Sequence, residues 1–261
     1  MPVSELSIIK PGARRKGFFT DTTVCIGCKA CEVACKQWND LPSDGGELLP
    51  GRSYDNTGQL GANTWRHVRF AEVDDKWTFM SDVCKHCANA GCLDACPTGA
   101  LIRSEFGTVV LQPDICNGCG YCIPSCPFGV IERDHDDGRA AKCTLCYDRL
   151  EDGLEPACAK ACPTDSIQFG ELEELRERAR QRLGDLESER WNGARLYGHD
   201  PEDGVGGFGA FFLLLDEPEV YGLPPDPVVT TKHLPGIWTA AAAAAGVLVA
   251  GIAAAFVGGA R

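Results

Sequence analysis

The sequence predicts an α+β protein of two small cysteine-held domains, one nested in the other, followed by a single apolar C-terminal helix. Three observations carry this reading. Sixteen cysteines fall into four groups of four with none left over. The segments flanking those groups repeat as short strands and turns. Leu234 to Ala260 contains no charged residue.

The first group, CIGCKACEVAC, places Cys25, Cys28, Cys31 and Cys35 at C-x2-C-x2-C-x3-C. The second, CKHCANAGCLDACP, places Cys84, Cys87, Cys92 and Cys96 at x2, x4 and x3 with Pro97 after the last. The third, CNGCGYCIPSCP, holds Cys116, Cys119, Cys122 and Cys126 at x2, x2 and x3, with Pro127 following. The fourth is stretched: Cys143 and Cys146, a spacer, then Cys158 and Cys162 before Pro163. GFFTDTTVC reads as a short strand entering the first group. PTGALIRSEFGTVVLQPDIC reads as strand, turn and strand between the second and third, and PTDSIQFG echoes its opening after the fourth. The repeating unit is strand, cysteine loop, short helix, proline, strand.

Sixteen thiols require disulfides, zinc or iron–sulfur chemistry. No apolar run follows Arg14 and Arg15, so no secretory leader is expected, which disfavours disulfides. Structural zinc takes two C-x2-4-C pairs from separate loops. Three cysteines at x2, x2 intervals instead curl one loop around one face of a cluster, and the fourth, just before proline, reaches the other cluster of a pair. The expectation is two ferredoxin-like double-[4Fe-4S] domains holding four [4Fe-4S] clusters. Exchange of fourth ligands predicts the sets Cys25, Cys28, Cys31 and Cys162 (cluster 1); Cys84, Cys87, Cys92 and Cys126 (cluster 2); Cys116, Cys119, Cys122 and Cys96 (cluster 3); and Cys143, Cys146, Cys158 and Cys35 (cluster 4). Each cluster then has a full thiolate set and no open iron, which argues for electron transfer and against catalysis at the metal. The fourth group alone also fits zinc, so a zinc-stabilised, membrane-anchored scaffold stands as the alternative of a different class. Two other residues attract notice: Lys36 as a cation beside a cluster, or simply solvated, and His86 as a donor to sulfur, or facing water.

This pairing forces the nesting. Residues 17–75 form the first half of an outer domain with a surface loop at 41–64, rich in Gly, Pro, Asp and Asn. Residues 76–138 form the inner domain and 139–170 the second half of the outer one. Residues 171–232 are expected as an amphipathic helix and linker, with Leu172, Leu175, Ala179, Leu183 and Leu186 at helical spacing. GVGGFG at 204–209 matches a dinucleotide fingerprint, but HDPED precedes it and the strand-like AFFLLLD follows, so no nucleotide site is expected. The net charge of −12 and pI near 4.9, with no basic cluster, argue against a nucleic-acid partner.

Residues 233–261 read as a transmembrane anchor. Ile237 to Val257 spans roughly 31 Å as a helix, about the hydrocarbon thickness of a lipid bilayer. Pro235 suits a helix start and Trp238 an interface, while Ala242, Gly246, Ala250 and Ala254 offer a small-residue stripe to a neighbouring helix.

ACKQWND after the first group, CKHCANAGCLDACPTGA, CNGCGYCIPSCPFGVI, EVYGLPPDPVV and the hydrophobic tail resemble the iron–sulfur (beta) subunit of membrane-bound formate dehydrogenases. More broadly, the chain is similar to the four-cluster electron-transfer subunits of molybdopterin oxidoreductases. The resemblance implies a non-catalytic subunit of anaerobic respiration. It would pass electrons from a catalytic molybdopterin (Mo/W) subunit that oxidises formate to a haem-b membrane subunit and the quinone pool. It also implies a single-pass protein of the cell membrane, in contact with lipid, whose soluble part is extracytoplasmic. Relatives that replace one cysteine of the third group hold a three-iron cluster there. Cys119 and Cys122 are both retained here, which counts against the nitrate reductase branch. The alternative within the class is a subunit serving a hydrogenase or a sulfur-compound reductase.

Overall fold

Phe18 and Phe19 sit side by side on one strand and point to opposite faces, as the period of a strand requires. In the computed structural model, which describes residues 14–43, 55, 57–73, 76–188 and 193–258, that alternation divides the interior in two. Phe18 enters a core shared with Val68, Val83, Leu145, Ile167 and several of the cysteines. Phe19 enters a second core with Leu172, Leu175, Ala179, Phe211 and Leu213.

The strand carrying both phenylalanines, β1 (Lys16–Asp21), lies inside a four-stranded sheet. Its neighbours are β8 (Ile167–Glu171) and β10 (Ala210–Leu214), and β9 (Arg195–Tyr197) closes the far edge. β1 is antiparallel to β8, with Phe18 opposite Phe169, and parallel to β10, with Phe19 opposite Phe211. Every residue of β10 is buried, which fits its unbroken apolar run. α5 (Leu172–Ser188) packs its leucine face on this sheet, in agreement with its spacing in sequence. Its charges are mostly at the surface, although Arg182 pairs with buried Asp21 at 3.2 Å.

Three hairpins lie around the cysteine loops. β4 (Leu101–Arg103) and β5 (Val109–Leu111) form the expected strand–turn–strand between the second and third groups. β6 (Glu132–Arg133) pairs with β7 (Ala140–Ala141). The longest hairpin, β2 (Arg66–Val73) with β3 (Lys76–Val83), was not expected and crosses the boundary drawn at residues 75 and 76. Short helices α1 (Ala30–Trp38), α2 (Gly91–Asp94), α3 (Tyr147–Glu151) and α4 (Ala157–Lys160) follow cysteines of the first, second and fourth groups. After the third group the chain makes turns instead of a helix.

Two expectations need correction. Residues 193–229 are not a linker: they supply β9 and β10 and bury Val205, Phe208, Tyr221, Leu223 and Val229. The polar, glycine-rich wording of that stretch hides core positions spaced between its turns. The loop at 41–64 is not wholly at the surface either. Its residues 44–54 and 56 lie outside the described residues, but Leu60, Ala62 and Thr64 are buried, and the Ala62 N–H donates to Glu132 Oε2 at 2.8 Å.

The chain divides into two compact units, Met1–Val229 and Thr230–Arg261. The second is α6 (Leu234–Gly258), in which Gly236–Phe256 has a mean hydropathy of 2.0 over 21 residues and none of the span is buried. Length and composition suffice to cross a bilayer.

Candidate metal centres

Each cysteine loop bends at the same place. The residue before the second cysteine of every group takes a left-handed conformation: Gly27 at φ 65°, His86 at 45°, Gly118 at 70° and Leu145 at 62°. That inversion turns the chain so that successive sulfurs face one centre. Glycine adopts it freely, while a non-glycine residue pays roughly 1–2 kcal/mol. Burial holds the two non-glycines in place, with His86 1% and Leu145 0% exposed. The His86 ring also accepts the Val109 N–H at Nδ1, 3.1 Å away. The lead-in is shared too. Single 3-10 turns at Thr22–Val24 and Pro113–Ile115 end on Cys25 and Cys116, whose backbones nearly coincide at φ −72°, ψ 126° and φ −71°, ψ 122°.

Two cavities are ringed by sulfur. Cys84, Cys87, Cys92 and Cys126 line one, walled by Phe128 and Ile131. Cys25, Cys28, Cys31 and Cys162 line another, walled by Val68 and Ile167. In both, three sulfurs come from one loop and the fourth from a distant one. Among the described residues, no three His, Cys, Asp or Glu side chains converge closely enough for a single metal ion. Four sulfurs ringed around a cavity suit a polynuclear cluster, whose irons sit away from its centre, better than one zinc at tetrahedral bonding distance. Donors to sulfur are in place as well. Cys31 Sγ lies 3.2 Å from Ser81 Oγ, the Leu145 N–H donates to Cys143 Sγ at 3.2 Å, and Asn39 Nδ2 donates to Cys35 Sγ at 3.6 Å.

Electrostatics groups the remaining sulfurs. Burial pushes the Cys122 thiol up to about 11, with Cys96, Cys116 and Cys119 acting in the same direction. Burial, then Cys143, Cys158 and Cys146, raises Cys35. Neighbouring sets also act on one another. Cys158 acts on Cys31, linking the first set to the fourth. Burial and then Cys84 push Cys143 up to about 12, linking the fourth to the second. Cys122 is among the thiols that raise Cys92, also to about 12 after burial, linking the second to the third. These influences run in the order 1, 4, 2, 3. The two exposed cysteines, Cys28 and Cys119, lie in the sets at its two ends.

Both side residues make backbone contacts. Lys36 Nζ donates to the carbonyls of Pro42 and Asn63, at 3.1 and 2.7 Å, and so pins the chain after α1. His86 is buried rather than facing water, and its Nδ1 serves the backbone of β5. GVGGFG has no helix after it and acts as a backbone clamp on the second loop. Ala88 N–H donates to Gly207 O at 2.9 Å, Asn89 N–H to Val205 O at 2.8 Å, and Gly209 N–H to Lys85 O at 2.9 Å. Sequence reasoning missed the buried cations Arg66, Lys85 and Lys142, which are 1%, 1% and 2% exposed. The one available signal was strand alternation, which sets Arg66 on the face of Val68.

The chain matches the 4Fe-4S dicluster domain family twice, over residues 75–172 and 24–100. It is 47% identical over 217 residues to the formate dehydrogenase iron-sulfur subunit of Haemophilus influenzae, covering 80% of this chain and 68% of that one. It is 44% identical over 233 residues to the formate dehydrogenase-O iron-sulfur subunit of Escherichia coli, covering 85% and 76%. Similarity extends to a component of the anaerobic dimethyl sulfoxide reductase of Escherichia coli, 38% identical over 165 residues, or 62% of this chain and 76% of that one.

Proposed function

Because the chain belongs to the family of formate dehydrogenase iron–sulfur subunits, we propose that it carries electrons from a molybdopterin subunit oxidising formate to a haem-b membrane subunit and the quinone pool. It is an electron-transfer subunit with four [4Fe-4S] clusters, for which its sixteen cysteines provide sixteen thiolates. When bound, the clusters supply one-electron carriers of tunable potential. The ligand sets assigned from sequence are our reading of how the chain holds them. The observation that carries it is the pair of cavities in which a distant sulfur, Cys126 or Cys162, completes a ring of three from one loop.

Nesting follows from the same reading. β1 pairs with β8, which sets the entry to the first group beside the exit from the fourth. The second and third groups then complete each other within that frame. The row 1, 4, 2, 3 with an exposed cysteine at either end supports a linear path whose ends dock the donor and acceptor subunits. Half-buried Phe128 and buried Val68 are apolar walls that limit water at the second and first ligand sets. α6 supports membrane anchoring beside the haem subunit.

The test is iron, zinc and acid-labile sulfide per chain in anaerobically purified complex, followed by reduction with formate. About sixteen irons with matching sulfide, bleached by formate, are expected. Zinc without sulfide would overturn the electron-transfer reading. Full cluster content that dithionite bleaches but formate leaves untouched would assign the subunit to another oxidoreductase.

A further inference from the structure

Arg66 is a buried cation without a counter-anion of the ordinary kind. It opens β2, is 1% exposed, and lies with its guanidinium 4.8 Å from the centre of the Phe18 ring. Among the described residues, its only hydrogen bonds run from Nη1 to the carbonyl and hydroxyl oxygens of Ser81, at 3.3 and 3.1 Å. Nε and Nη2 are buried with no partner. Leaving two N–H edges of a guanidinium unmet in a core is costly, and native interiors avoid it unless another acceptor is there. The largest charges acting on this guanidinium, after its burial, are sulfurs of two ligand sets: Cys158, Cys31, Cys143 and Cys35. The Phe18 ring beneath it belongs to the same core as Cys31, Cys143 and Cys158. A relay reaches one of them directly, because the Ser81 hydroxyl that accepts from Nη1 lies 3.2 Å from Cys31 Sγ and is left to donate to it.

We propose that Arg66 is a potential-setting residue, its unpartnered N–H edges and its charge directed at the sulfurs of the clusters held by Cys25, Cys28, Cys31 and Cys162 and by Cys35, Cys143, Cys146 and Cys158. The inference rests on those proposed ligand sets. Reduction adds one negative charge to a cluster, and a fixed cation beside it stabilises that charge, so Arg66 raises both potentials. It thereby eases electron passage between the first two members of the row. An exposed cation would be screened by water and could not do the same.

The test is a redox titration of the intact complex followed by electron paramagnetic resonance, comparing wild type with Arg66→Met and Arg66→Lys. Arg66→Met is expected to lower two of the four one-electron waves. Each should shift by at least a tenfold change in reduction equilibrium, about 59 mV, with the other two unmoved. Arg66→Lys, which keeps the charge, should recover most of that shift. Iron content separates the two failures. Fewer than about sixteen irons in the wild type would undo the ligand sets themselves. A full complement whose four waves ignore Arg66→Met, or move together, overturns this inference alone. Should Arg66→Met fail to load, the structure of the loaded wild-type complex decides. Nε and Nη2 are expected within hydrogen-bond distance of cluster or cysteine sulfur, and finding both on oxygen acceptors instead overturns the proposal.

Discussion

Replacing Asp82 with asparagine should strip the second cysteine loop of its main electrostatic support. Lys85 follows Cys84 and is 1% exposed, held between the rings of Phe128 and Phe212 at 5.2 and 5.1 Å. Its ammonium donates to Val83 O at 2.8 Å and to the Asp82 carboxylate. Burial by itself would raise the Asp82 pKa, but Lys85, Arg69 and the Val83 N–H together hold it below the ordinary carboxylate value. The amide would keep the shape and an acceptor oxygen but remove the charge, leaving the Lys85 ammonium buried between two rings without its carboxylate. Removing one partner of a buried pair costs about 3–5 kcal/mol. The ring contacts are common to both proteins and cancel. At about 2–4 °C per kcal/mol for a domain of this size, the melting temperature should fall by roughly 6–20 °C. The assay is anaerobic thermal denaturation followed by far-ultraviolet circular dichroism and by cluster absorbance. A double variant, Asp82→Asn with Lys85→Met, leaves no orphaned ammonium and should recover most of the loss, since Arg69 is partly exposed and can turn to water. The pH dependence has a definite sign. A carboxylate with a depressed folded pKa contributes fully above its unfolded pKa, about 3.9, and loses that contribution as pH falls through the folded value. The gap between wild type and Asp82→Asn should therefore stay constant from pH 6 to 8. An Asp82→Asn protein melting within about 3 °C of wild type, or a double variant no better than the single, would refute the reasoning.

Ligand exchange predicts how cysteine variants combine. Cys84→Ala and Cys126→Ala should each alter the same one of the four redox waves, and their double variant still one; Cys84→Ala with Cys116→Ala should alter two. Ending the chain at Val229 should release the protein from the membrane fraction with all four waves intact, because the preceding residues form their own compact unit. Gly17→Ala should lower the melting temperature, at a cost of about 1–3 kcal/mol, because its Cβ would fall 2.1 Å from the Gly209 carbonyl that accepts the Phe18 N–H. Gly184→Ala, in open space on α5, should raise it slightly through helix propensity, and calorimetry reads both.

The parts legible in the sequence were those written in local spacing. Cysteine intervals gave the loops, alternation gave β4 and β5, and the leucine period gave α5. What escaped was mostly nonlocal. β10 reads as strand-like in AFFLLL, but its parallel partner lies nearly the whole first unit away in sequence, and no local pattern announces that pairing. The β2–β3 hairpin did have a signal, two alternating runs on either side of Asp74 and Asp75, which the cysteine-based domain boundary obscured. His86 and Leu145 occupy positions where glycine stands in the other two loops, so composition alone could not reveal that all four loops bend alike.

The buried cations fit one physical account. In an ordinary core, Arg66 and Lys142 would be liabilities, for their hydrogen bonds go to neutral oxygens, whereas Lys85 has the Asp82 carboxylate. Lys142 donates to the carbonyls of Val109 and Cys143, and Arg66 to Ser81. Each instead lowers the pKa of specific thiols against their burial: Arg66 on Cys31 and Cys35, Lys85 on Cys87 and Cys126, Lys142 on Cys92 and Cys143. A thiol must lose its proton to become a ligand, and a buried thiol resists that loss. The cations reduce the resistance, and the thiolates in turn supply the anions that Arg66 and Lys142 lack. Cluster-free chain has neither benefit, with protonated thiols on one side and unpaired cations on the other. Folding of the cysteine-lined core and loading of its clusters are consequently coupled, and the chain's stability belongs largely to the loaded state.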